Sequence, residues 1–591
     1  MAVDQSPMNK LITEHIDIWT STVKTKSTSG RGSSNKLELY GIKKLRELIL
    51  ELAMRGKLVS QDPNDEPASA LLERIAEEKK KLIENKKLRK SKDLSEISEK
   101  DIPHRIPSTW KWCYLSDLGS IIGGGTPKSN EDVYWTDKGV KWLTPADLYG
   151  LKSKYIGSGK RDITNLGLEK SSAQLLPKGS VLFSSRAPIG YVAITSNELA
   201  TNQGFKSVVP IFQELSEYIY YFLKRSGKFI DAEASGTTFK EVSGTAVSKV
   251  LTPLPPIAEQ HRIVAKVDEL MALCDQLEQQ TEDSIEAHQV LVTTLLDTLT
   301  NSADADELIQ NWARISEHFD TLFTTEESID QLKQTILQLA VMGKLVPQDP
   351  SDEPAAELLK RIAEEKAQLV KEKKIKKQKA LPPISQGEKP FELPSGWGFA
   401  HMQDLCELIT DGTHQTPKYT DTGRPFISAQ SVKPFRFMPE NCRYVSEEHY
   451  QAYIKNRNPE FRDILLSRVG AGIGEAAMID TDLEFAIYVS TGLLKPHKSS
   501  VMSEYLVLWL NSPLGRGFSE RNTLGKGVSQ GNLNLSLIRA FTVSLPPLQE
   551  QKRIIEQVNK LNDLCDLLKE RLQSVQLTQL SLTDVIAEQV V

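Results

Sequence analysis

The chain has 591 residues, a formal net charge of −5 at neutral pH and five cysteines. This length exceeds that of one ordinary domain, so several folded units are expected. The slightly acidic balance gives no overall electrostatic footprint for nucleic acid or for a membrane surface, and any such binding must be local. The cysteines lack C-x-x-C spacing and the motif H-E-x-x-H is missing, which argues against a disulfide framework and a zinc site.

The sequence has no obvious targeting or membrane segment. No stretch approaches eighteen consecutive apolar residues, and the start MAVDQSPMNK lacks the apolar core of a signal peptide. We therefore expect a cytoplasmic protein.

Two thirty-residue segments, 50–79 and 337–366, are nearly the same at an offset of 287 positions. They read LELAMRGKLVSQDPNDEPASALLERIAEEK and LQLAVMGKLVPQDPSDEPAAELLKRIAEEK. Matching resumes at the same offset with IPSTWKWCYLSDL and LPSGWGFAHMQDL, which begin at 106 and 393. The chain is therefore a tandem duplication, and we call these repeated stretches the frame segments.

A further pair of frame segments follows a long unmatched interval. LPPIAEQHRIVAKVDELMALCDQL begins at Leu254 and LPPLQEQKRIIEQVNKLNDLCDLL begins at Leu545, at an offset of 291. Apolar residues then recur at steps of 4 and 3, which predicts a heptad seam on a helix that starts after the Pro-Pro pair. The seam positions are Ile263, Val267, Leu270, Cys274 and Leu277, and Ile554, Val558, Leu561, Cys565, Leu568, Leu572 and Val575.

The blocks that begin DEPASALLERIAEEK and DEPAAELLKRIAEEK are predicted surface helices. Each has acidic residues beside a proline at its start and lysines at its end, the charge order that complements a helix dipole. Solvated helix ends explain the lysine runs; contact with phosphates is the alternative.

The segments between the frames do not match each other. GSVLFSSRAPIGYVAIT at 179–195 and RDILLSRVGAGIGEAAMI at 462–479 are short β-rich runs broken by glycine and proline, typical of a mixed α/β domain. The first segment carries a net charge of about +5, whereas the second is close to neutral. The electrostatic argument for nucleic acid is therefore uneven between them.

Motifs of catalysis are missing from the sequence. YIGSGKRD does not fit a phosphate-binding loop, because the position of the first glycine is Lys154. The Pro-Pro pairs have apolar neighbours where a DNA adenine methyltransferase needs an Asn or Asp, and the nine histidines are dispersed. A methyltransferase acting alone is therefore a remote alternative.

The combined motifs resemble the specificity subunit of type I restriction-modification systems. Each unmatched segment opens with P-S-x-W-x-[WF] and closes with L-P-P-[IL]-x-E-Q-x-[RK]-I before a heptad helix, and A-[VM]-x-G-K-L precedes it. The likeness covers the whole chain, and the developed repeat block before the first unmatched segment resembles one subgroup of the family.

The resemblance implies an α+β fold in which two mixed α/β target-recognition domains are joined by long helices that form an antiparallel coiled coil, duplicated about a pseudo-two-fold axis. It also implies five segments in chain order. They are an N-terminal helical block at 1–103, a first recognition domain at 104–252, a central helical block at 253–391, a second recognition domain at 392–544 and a C-terminal helix at 545–591. We call the segments 104–252 and 392–544 variable domain 1 and variable domain 2.

By the same resemblance, the chain is non-catalytic and binds double-stranded DNA, two methyltransferase subunits and two motor-nuclease subunits. Each variable domain reads one half of an asymmetric bipartite target, and the helices fix the spacer between the halves. S-adenosylmethionine belongs to the methyltransferase, and ATP and Mg²⁺ belong to the motor-nuclease; this chain is expected to bind no cofactor and no metal.

Polar side chains from loops read base edges, so the loops of the variable domains supply the candidate contacts. In variable domain 1 they are Thr126, Lys128, Ser184, Ser185, Arg186, Asn202, Gln203, Thr237, Thr238 and Lys240. In variable domain 2 the aligned candidates are Thr413, His414, Thr416, Lys418, Ser428, Gln430, Ser467, Arg468, Lys526, Ser529, Gln530 and Asn532. The alternative for any single residue is an ordinary polar loop, and the alternative for the whole chain is a duplicated coiled-coil scaffold without DNA readout.

Overall fold

The computed structural model describes residues 7–25, 37–88, 94–186, 188–232, 240–303, 305–415, 417–470, 472–524 and 531–590. The chain divides into two compact units. Unit 1 comprises Met1–Asp283 and Gln576–Val591, and unit 2 comprises Ser284–Val575. Each unit therefore contains one variable domain and parts of both long helices.

The helices are given in chain order. They are α1 Pro7–Glu14, α2 Ile16–Ser21, α3 Tyr40–Met54, α4 Ala68–Glu84, α5 Leu115–Leu118, α6 Asn165–Glu169, α7 Ser216–Ala232, α8 Gly244–Ser248, α9 Ile257–Asn301, α10 Ala305–Glu317, α11 Phe319–Leu322, α12 Glu326–Val341, α13 Ala355–Lys371, α14 Met402–Leu405, α15 Glu447–Ile454, α16 Ser503–Asn511, α17 Pro513–Arg521, α18 Leu535–Arg539 and α19 Leu548–Val590.

The strands follow in the same order. In unit 1 they are β1 Lys24–Thr25, β2 Leu37–Glu38, β3 Lys111–Tyr114, β4 Gly119–Gly123, β5 Trp135–Thr136, β6 Val140–Leu143, β7 Tyr155–Ile156, β8 Arg161–Ile163, β9 Val181–Phe183, β10 Val192–Thr195, β11 Ala200–Thr201, β12 Lys206–Pro210 and β13 Leu251–Leu254. In unit 2 they are β14 Gly398–His401, β15 Cys406–Asp411, β16 Tyr419–Thr420, β17 Arg424–Ile427, β18 Val432–Lys433, β19 Arg436–Phe437, β20 Arg443–Val445, β21 Ile464–Ser467, β22 Ala476–Met478, β23 Ala486–Ile487, β24 Thr491–Pro496, β25 Thr523–Leu524, β26 Asn532–Leu533 and β27 Thr542–Leu545.

The two variable domains share one sheet topology despite their unlike sequences. One sheet has the strand order β4-β12-β9-β10-β7 in variable domain 1 and β15-β24-β21-β22 in variable domain 2. The other has the order β11-β6-β8-β5 and β23-β17-β20-β16. In this second sheet the pairs β6–β11 and β17–β23 are parallel, so their carboxyl ends share one edge. The sequence prediction of an α+β fold is confirmed.

The frame motifs meet where each variable domain joins its helices. Gly56 and Gly343 end α3 and α12 at φ +69° and +73°, and a Cβ at either would lie 2.5 or 2.6 Å from Cγ of Pro107 or Pro394. Glycine satisfies both demands, since it tolerates positive φ and leaves room for the proline. The motif A-[VM]-x-G-K-L is therefore repeated because it must pack against P-S-x-W.

A buried glutamate of the closing motif completes this junction in unit 1. Trp110 Nε1 donates to Glu259 at 2.9 Å and Gln61 Nε2 donates to the same carboxylate at 2.6 Å. In unit 2, Gln348 Nε2 donates to Glu550 at 3.1 Å. Burial raises the pKa of both carboxyl groups.

The heptad seam packs against a repeat-block helix in each unit. In unit 1, Arg46 of α3 donates to Asp275 and Glu278 of α9, at 2.7 and 2.6 Å. Because Gln61, beyond the end of α3, contacts Glu259 near the start of α9, the two helices are antiparallel. In unit 2 the seam residues of α19 from Ile554 to Leu572 share one apolar core with α12, whereas the predicted seam position Val575 is 52 % exposed and lies outside that core.

Both long helices lie alongside α12 in unit 2, and they run in opposite directions. His288 of α9 contacts the Leu322 carbonyl before α12, and Lys344 after α12 contacts the Thr300 carbonyl near the end of α9. Lys569 of α19 pairs with Asp330, whereas Glu550, near the start of α19, contacts Gln348. In this unit, α12 therefore packs as a third helix beside the antiparallel long helices α9 and α19. Among the described helices none is long and apolar enough to cross a membrane.

Candidate nucleic-acid interface

A cleft of about 440 Å³, cleft 1, opens at the edge of variable domain 1 where the parallel strands β6 and β11 end. Loops that follow parallel strands are common ligand sites because their backbone groups and side chains converge there. The lining residues are Thr144, Pro145, Ala146, Tyr149, Arg186, Pro188, Tyr191, Asn202, Gln203 and Gly204.

Polar contacts link the loops around cleft 1. Thr126 hydrogen-bonds to the side chain of Gln203, and Lys206 Nζ lies 3.4 Å from the Gln203 carbonyl. Glu241 accepts from Lys206 at 3.4 Å and from Arg186 Nη2 at 2.9 Å. Predicted candidates from three separate loops are thus brought together by the fold.

Arg186 is the exposed cation of cleft 1. Its side chain is 46 % exposed, and its partner Glu241 is 38 % exposed. The hydrogen bond from Arg186 lowers the pKa of Glu241, so this carboxylate is ionised at neutral pH. An exposed ion pair contributes little to stability, which leaves the guanidinium able to exchange Glu241 for the two acceptors of a guanine or for a phosphate.

A larger cleft of about 980 Å³, cleft 2, opens in variable domain 2 beyond the ends of the parallel strands β17 and β23. Its lining residues are Tyr419, Phe426, Ser428, Ala429, Gln430, Lys433, Glu440, Asn441, Cys442, Arg443, Val469, Gly470, Gly472, Tyr488 and Ser490. Ser428 and Gln430 are sequence-predicted candidates, and the Gln430 side chain is exposed.

Backbone hydrogen bonds show that the two clefts occupy the same place in the two domains. The amide of Asn202 donates to Leu143 O, as the amide of Tyr488 donates to Ile427 O, both at 2.9 Å. Both β6 and β17 are followed by a hydroxyl residue, Thr144 and Ser428, but β11 is followed by Asn202 and Gln203 and β23 by Tyr488 and Val489. One scaffold therefore presents two chemically unlike surfaces at one position.

The same hydrogen bonds correct the alignment of the Ser-Arg motifs. Ser185 N donates to Gly204 O at 2.8 Å, whereas in variable domain 2 the corresponding donor is Arg468 N, to Ser490 O at 2.9 Å. The next residue in each domain forms an isolated antiparallel β-bridge, Arg186 with Glu241 and Val469 with Asn532. Arg186 thus corresponds to Val469, and the sequence alignment of Arg186 with Arg468 is wrong by one residue.

The one-residue difference places Arg468 on the inner face of its strand. Its side chain is 6 % exposed; Nε donates to Leu533 O at 2.9 Å, and Nη1 contacts Asp411 and Val489 O. His414 Nε2 also lies 3.2 Å from Asp411. The guanidinium is therefore almost completely buried, and Nε and Nη1 are already occupied by acceptors of the same domain.

Four hydroxyl candidates are also buried. Ser184 donates to Pro188 O at 2.8 Å, Ser185 to Gly204 O at 3.2 Å and Ser467 to Ala429 O at 3.3 Å. Thr413 accepts from the Gln415 amide at 3.2 Å. These residues stabilise the loops that form the clefts, because their hydroxyls are already occupied by backbone groups of those loops.

The other described candidates have accessible side chains. They are Thr126, Lys128, Asn202, Gln203 and Lys240 in variable domain 1, and His414, Lys418, Ser428, Gln430 and Asn532 in variable domain 2. Thr237, Thr238, Thr416, Lys526, Ser529 and Gln530 lie outside the described residues.

Several residues of the clefts were missed at the level of sequence. Tyr149, 79 % exposed, lines cleft 1, and Tyr488 and Arg443 line cleft 2. Arg443 also lies over the ring of Tyr419, 4.5 Å from its centroid. Tyr488 could have been found from its position, because it directly follows β23, which pairs in parallel with β17. The sequence analysis did not predict that pairing.

The described part of the chain contains no group of three or more His, Cys, Asp or Glu side chains arranged to hold a metal ion. Its accessible features are hydrogen-bond donors, acceptors and aromatic rings around two equivalent clefts. The fold therefore defines a duplicated α+β protein whose two variable domains present chemically unlike clefts at one position.

Comparison with known proteins identifies the family. The model for the type I restriction modification DNA specificity domain matches twice, over residues 107–287 and 394–577. The chain belongs to this family of type I restriction enzyme specificity subunits. It is 39 % identical over 614 residues to the EcoAI specificity subunit of Escherichia coli, covering 98 % of this chain and 99 % of that protein.

A second Escherichia coli relative, the EcoEI specificity subunit, is also 39 % identical, over 610 residues that cover 98 % of this chain and 99 % of the relative. Among solved structures, the HsdS subunit from Thermoanaerobacter tengcongensis matches 83 % of this chain and 98 % of its own length, with 17 % identity and a TM-score of 0.39. The resemblance stated from the sequence is confirmed by the family match and by the two relatives.

Proposed function

We propose that this chain reads DNA for a type I restriction-modification complex without catalysing a reaction itself. Cleft 1 binds one half of an asymmetric bipartite target and cleft 2 binds the other. The long helices α9 and α19, with their repeat-block helices, fix the spacer between the halves and dock the methyltransferase subunits.

The observation that carries this proposal is the equivalence of the two clefts. They lie beyond the same pair of parallel strands, yet one is lined by Arg186, Asn202 and Gln203 and the other by Gln430, Asn441 and Tyr488. Two different half-sites require the same approach to a groove with different donors and acceptors. A scaffold that only joined proteins would have no such requirement.

The proposed base contacts are the accessible residues around each cleft. For cleft 1 we propose Thr126, Asn202, Gln203 and Arg186, with Lys128 and Lys240 as phosphate contacts; for cleft 2 we propose Ser428, Gln430 and Asn532, with His414 and Lys418 nearby. Gln and Asn match the donor and acceptor pair of adenine, and Arg matches guanine. The buried Ser184, Ser185, Thr413, Ser467 and Arg468 are withdrawn from the contact set.

The partners are those that the family resemblance implies, and the duplication is compatible with two copies of each. Two frames that repeat the same packing offer two equivalent surfaces, which suit two copies of one methyltransferase subunit. Two motor-nuclease subunits complete the proposed complex. In it, S-adenosylmethionine is bound by the methyltransferase, and ATP and Mg²⁺ are bound by the motor-nuclease.

The test is to assemble this chain with the methyltransferase encoded beside it and to map the methylated sites across a genome. We expect one asymmetric target whose two specified halves are separated by an unspecified spacer of fixed length. Methylation at a continuous site, or at sites without a common sequence, would contradict the proposal. A complex that assembles but has no preference for any sequence would support the scaffold alternative.

A further inference from the structure

Variable domain 1 contacts the repeat-block helix α3 through ion pairs. Arg225 of α7 donates to both carboxylate oxygens of Glu51 on α3, Nε at 2.8 Å and Nη2 at 3.1 Å. Arg55 donates to the same carboxylate at 2.7 Å. The side chains of Arg225 and Glu51 are only 22 % and 17 % exposed, so this two-bond contact is partly shielded from water.

A second ionic contact joins variable domain 1 to α9. Lys154, just before β7, lies 2.8 Å from Asp268 of α9 and 3.0 Å from Glu217 of α7. Tyr221 of α7 donates a hydrogen bond to Asp268 as well. We call Glu51, Arg55, Arg225, Lys154 and Asp268 the α7 ion-pair cluster.

Ion-pair partners keep Glu51 and Lys154 of this cluster ionised, although both side chains are partly buried. Burial alone would raise the pKa of Glu51, but the hydrogen bonds from Arg225 and Arg55 outweigh it and lower that pKa. Burial likewise opposes the charge on Lys154, and its contacts with Asp268 and Glu217 raise its pKa. Both groups are therefore ionised at neutral pH, and loss of one partner would leave a partly buried charge with only its remaining partner, Arg55 for Glu51.

In unit 2 the position of Glu51 is not acidic. At the offset of 287 in the repeat block, Glu51 corresponds to the uncharged Gln338. Trp509 and Leu510 of α16 belong to the same apolar core as Ile336 of α12, so α12 contacts variable domain 2 through apolar side chains.

The two units therefore share the junction around Gly56 and Gly343 but differ where the repeat-block helix carries Glu51 or Gln338. Variable domain 1 is also attached by the pairing of β3 with β13, by Trp110 and Glu259, and by Lys79 of α4, which donates to Ser116 O at 2.7 Å. The contacts of α7 with α3 and of Lys154 with α9 add attachments that restrict rocking of the domain on its helices. Rocking matters because adjacent base pairs are only about 3.4 Å apart along DNA.

We infer that the α7 ion-pair cluster positions variable domain 1 on its own frame and thereby determines which spacer length the complex accepts. Glu51 and Arg225 are positioning residues in this account, since they act through the placement of cleft 1. In unit 2 the uncharged Gln338 stands at the position of Glu51, so the same ion pair cannot form there. The inference depends on the proposed function.

The experiment uses the complex with the methyltransferase and three sets of duplexes that carry both half-sites with the natural spacer, one base pair fewer or one base pair more. The variants are Glu51→Arg, Arg225→Glu and the exchanged pair E51R/R225E. Each single variant should raise methylation at the two altered spacers, relative to the natural one, by about tenfold, the size of a well-formed charge pair. The exchanged pair should recover most of the original preference.

Two further variants keep the result decisive. Glu51→Gln introduces the residue that unit 2 has at this position, and it should relax the spacer preference by about threefold even if the charge reversals fail to fold. Glu47→Gln is the matched control, because its partner Lys228 is 72 % exposed, and it should leave the preference unchanged.

Unchanged spacer preference in Glu51→Gln and in a folded charge reversal would overturn the inference, as would an equal loss of methylation at every spacer. A wild-type complex without any split target would overturn the proposed function, and the inference with it. If the wild-type complex has a split target but the variants keep the natural spacer preference, only the inference is overturned.

Discussion

Arg186 and Arg468 follow the same kind of strand in the two variable domains, yet one is exposed beside cleft 1 and the other is buried below cleft 2. Arg186 is 46 % exposed and pairs with the accessible Glu241; Arg468 is 6 % exposed and pairs with the buried Asp411. Their residue type and local sequence are nearly identical. Their roles differ because their positions in the backbone register differ by one residue.

Side chains alternate between the two faces of an extended strand, so a shift of one residue moves a side chain from outside to inside. Ser185 and Arg468 hold the same register position, and both are buried. Arg186 and Val469 hold the next one, and both line their clefts. A Ser-Arg motif is therefore evidence for a DNA contact only when its register is known.

The largest effect predicted from this comparison is on the stability of unit 2. Arg468→Ala leaves Asp411 buried with a diminished set of donors, and we expect a loss of about 3 to 5 kcal/mol. Native-state hydrogen exchange of the β21 and β24 amides measures the loss in this unit alone. Lys433→Ala should cost less than about 1 kcal/mol, because the Lys433 side chain is 51 % exposed and lies 3.8 Å from Glu475. A stable Arg468→Ala protein with impaired DNA binding would restore Arg468 as a contact.

A smaller effect, confined to DNA recognition, is expected for Arg186→Ala. The loss of a two-bond guanine contact should cost about 1 to 3 kcal/mol of discrimination at one position of one half-site. Binding of duplexes mutated at each position provides the measurement, and Val469→Ala in cleft 2 is the control at the same register. Equal weakening on specific and random duplexes, with a reduced salt dependence, would instead identify a phosphate contact.

Substitution of the buried glutamate in the closing motif should have the same effect on stability in both units, unlike the Arg186 and Arg468 substitutions. Burial raises the pKa of Glu259 and of Glu550, so each carboxyl binds protons more tightly in the folded state, and its contribution to stability falls as pH rises from the unfolded pKa through the folded one. Glu259→Gln and Glu550→Gln remove that charge while keeping an acceptor. The free energy of unfolding of each variant, taken relative to wild type, should be higher at pH 7 than at pH 4 by about 1 kcal/mol or less.

Urea unfolding of the full chain at the two pH values measures this change. A gain for one variant and a loss for the other would show that the two junctions differ, although Glu259 and Glu550 are both almost completely buried.

The sequence predicted the features that repeat. The heptad positions from Ile263 to Cys274 are buried as expected, and the Pro-Pro pairs precede the long helices. These features depend on local periodicity and on exact repetition, which can be read directly. Gln203 and Gln430, which were predicted as DNA contacts, are exposed and line the two clefts; their contact with DNA stays a prediction.

What the sequence did not predict depends on pairing between distant strands. The buried Arg468 is paired with the Asp411 carboxylate of a strand 57 positions away, and Tyr149 lines a cleft that opens where the parallel strands β6 and β11 end. The variable domains have no internal repeat to reveal such pairing. The difference between Glu51 and Gln338 was visible, but its meaning required the position of Arg225.

The central claim is that the two clefts read separate halves of one target, and single substitutions in each cleft test it most directly. Genome-wide methylation by complexes with Gln203→Ala, Gln430→Ala and both together gives the target of each variant. We predict that Gln203→Ala relaxes one half-site, Gln430→Ala relaxes the other, and the double variant relaxes both, with the spacer unchanged. Relaxation of the same half-site by both single variants, or unaltered targets in variants that fold, would contradict the account.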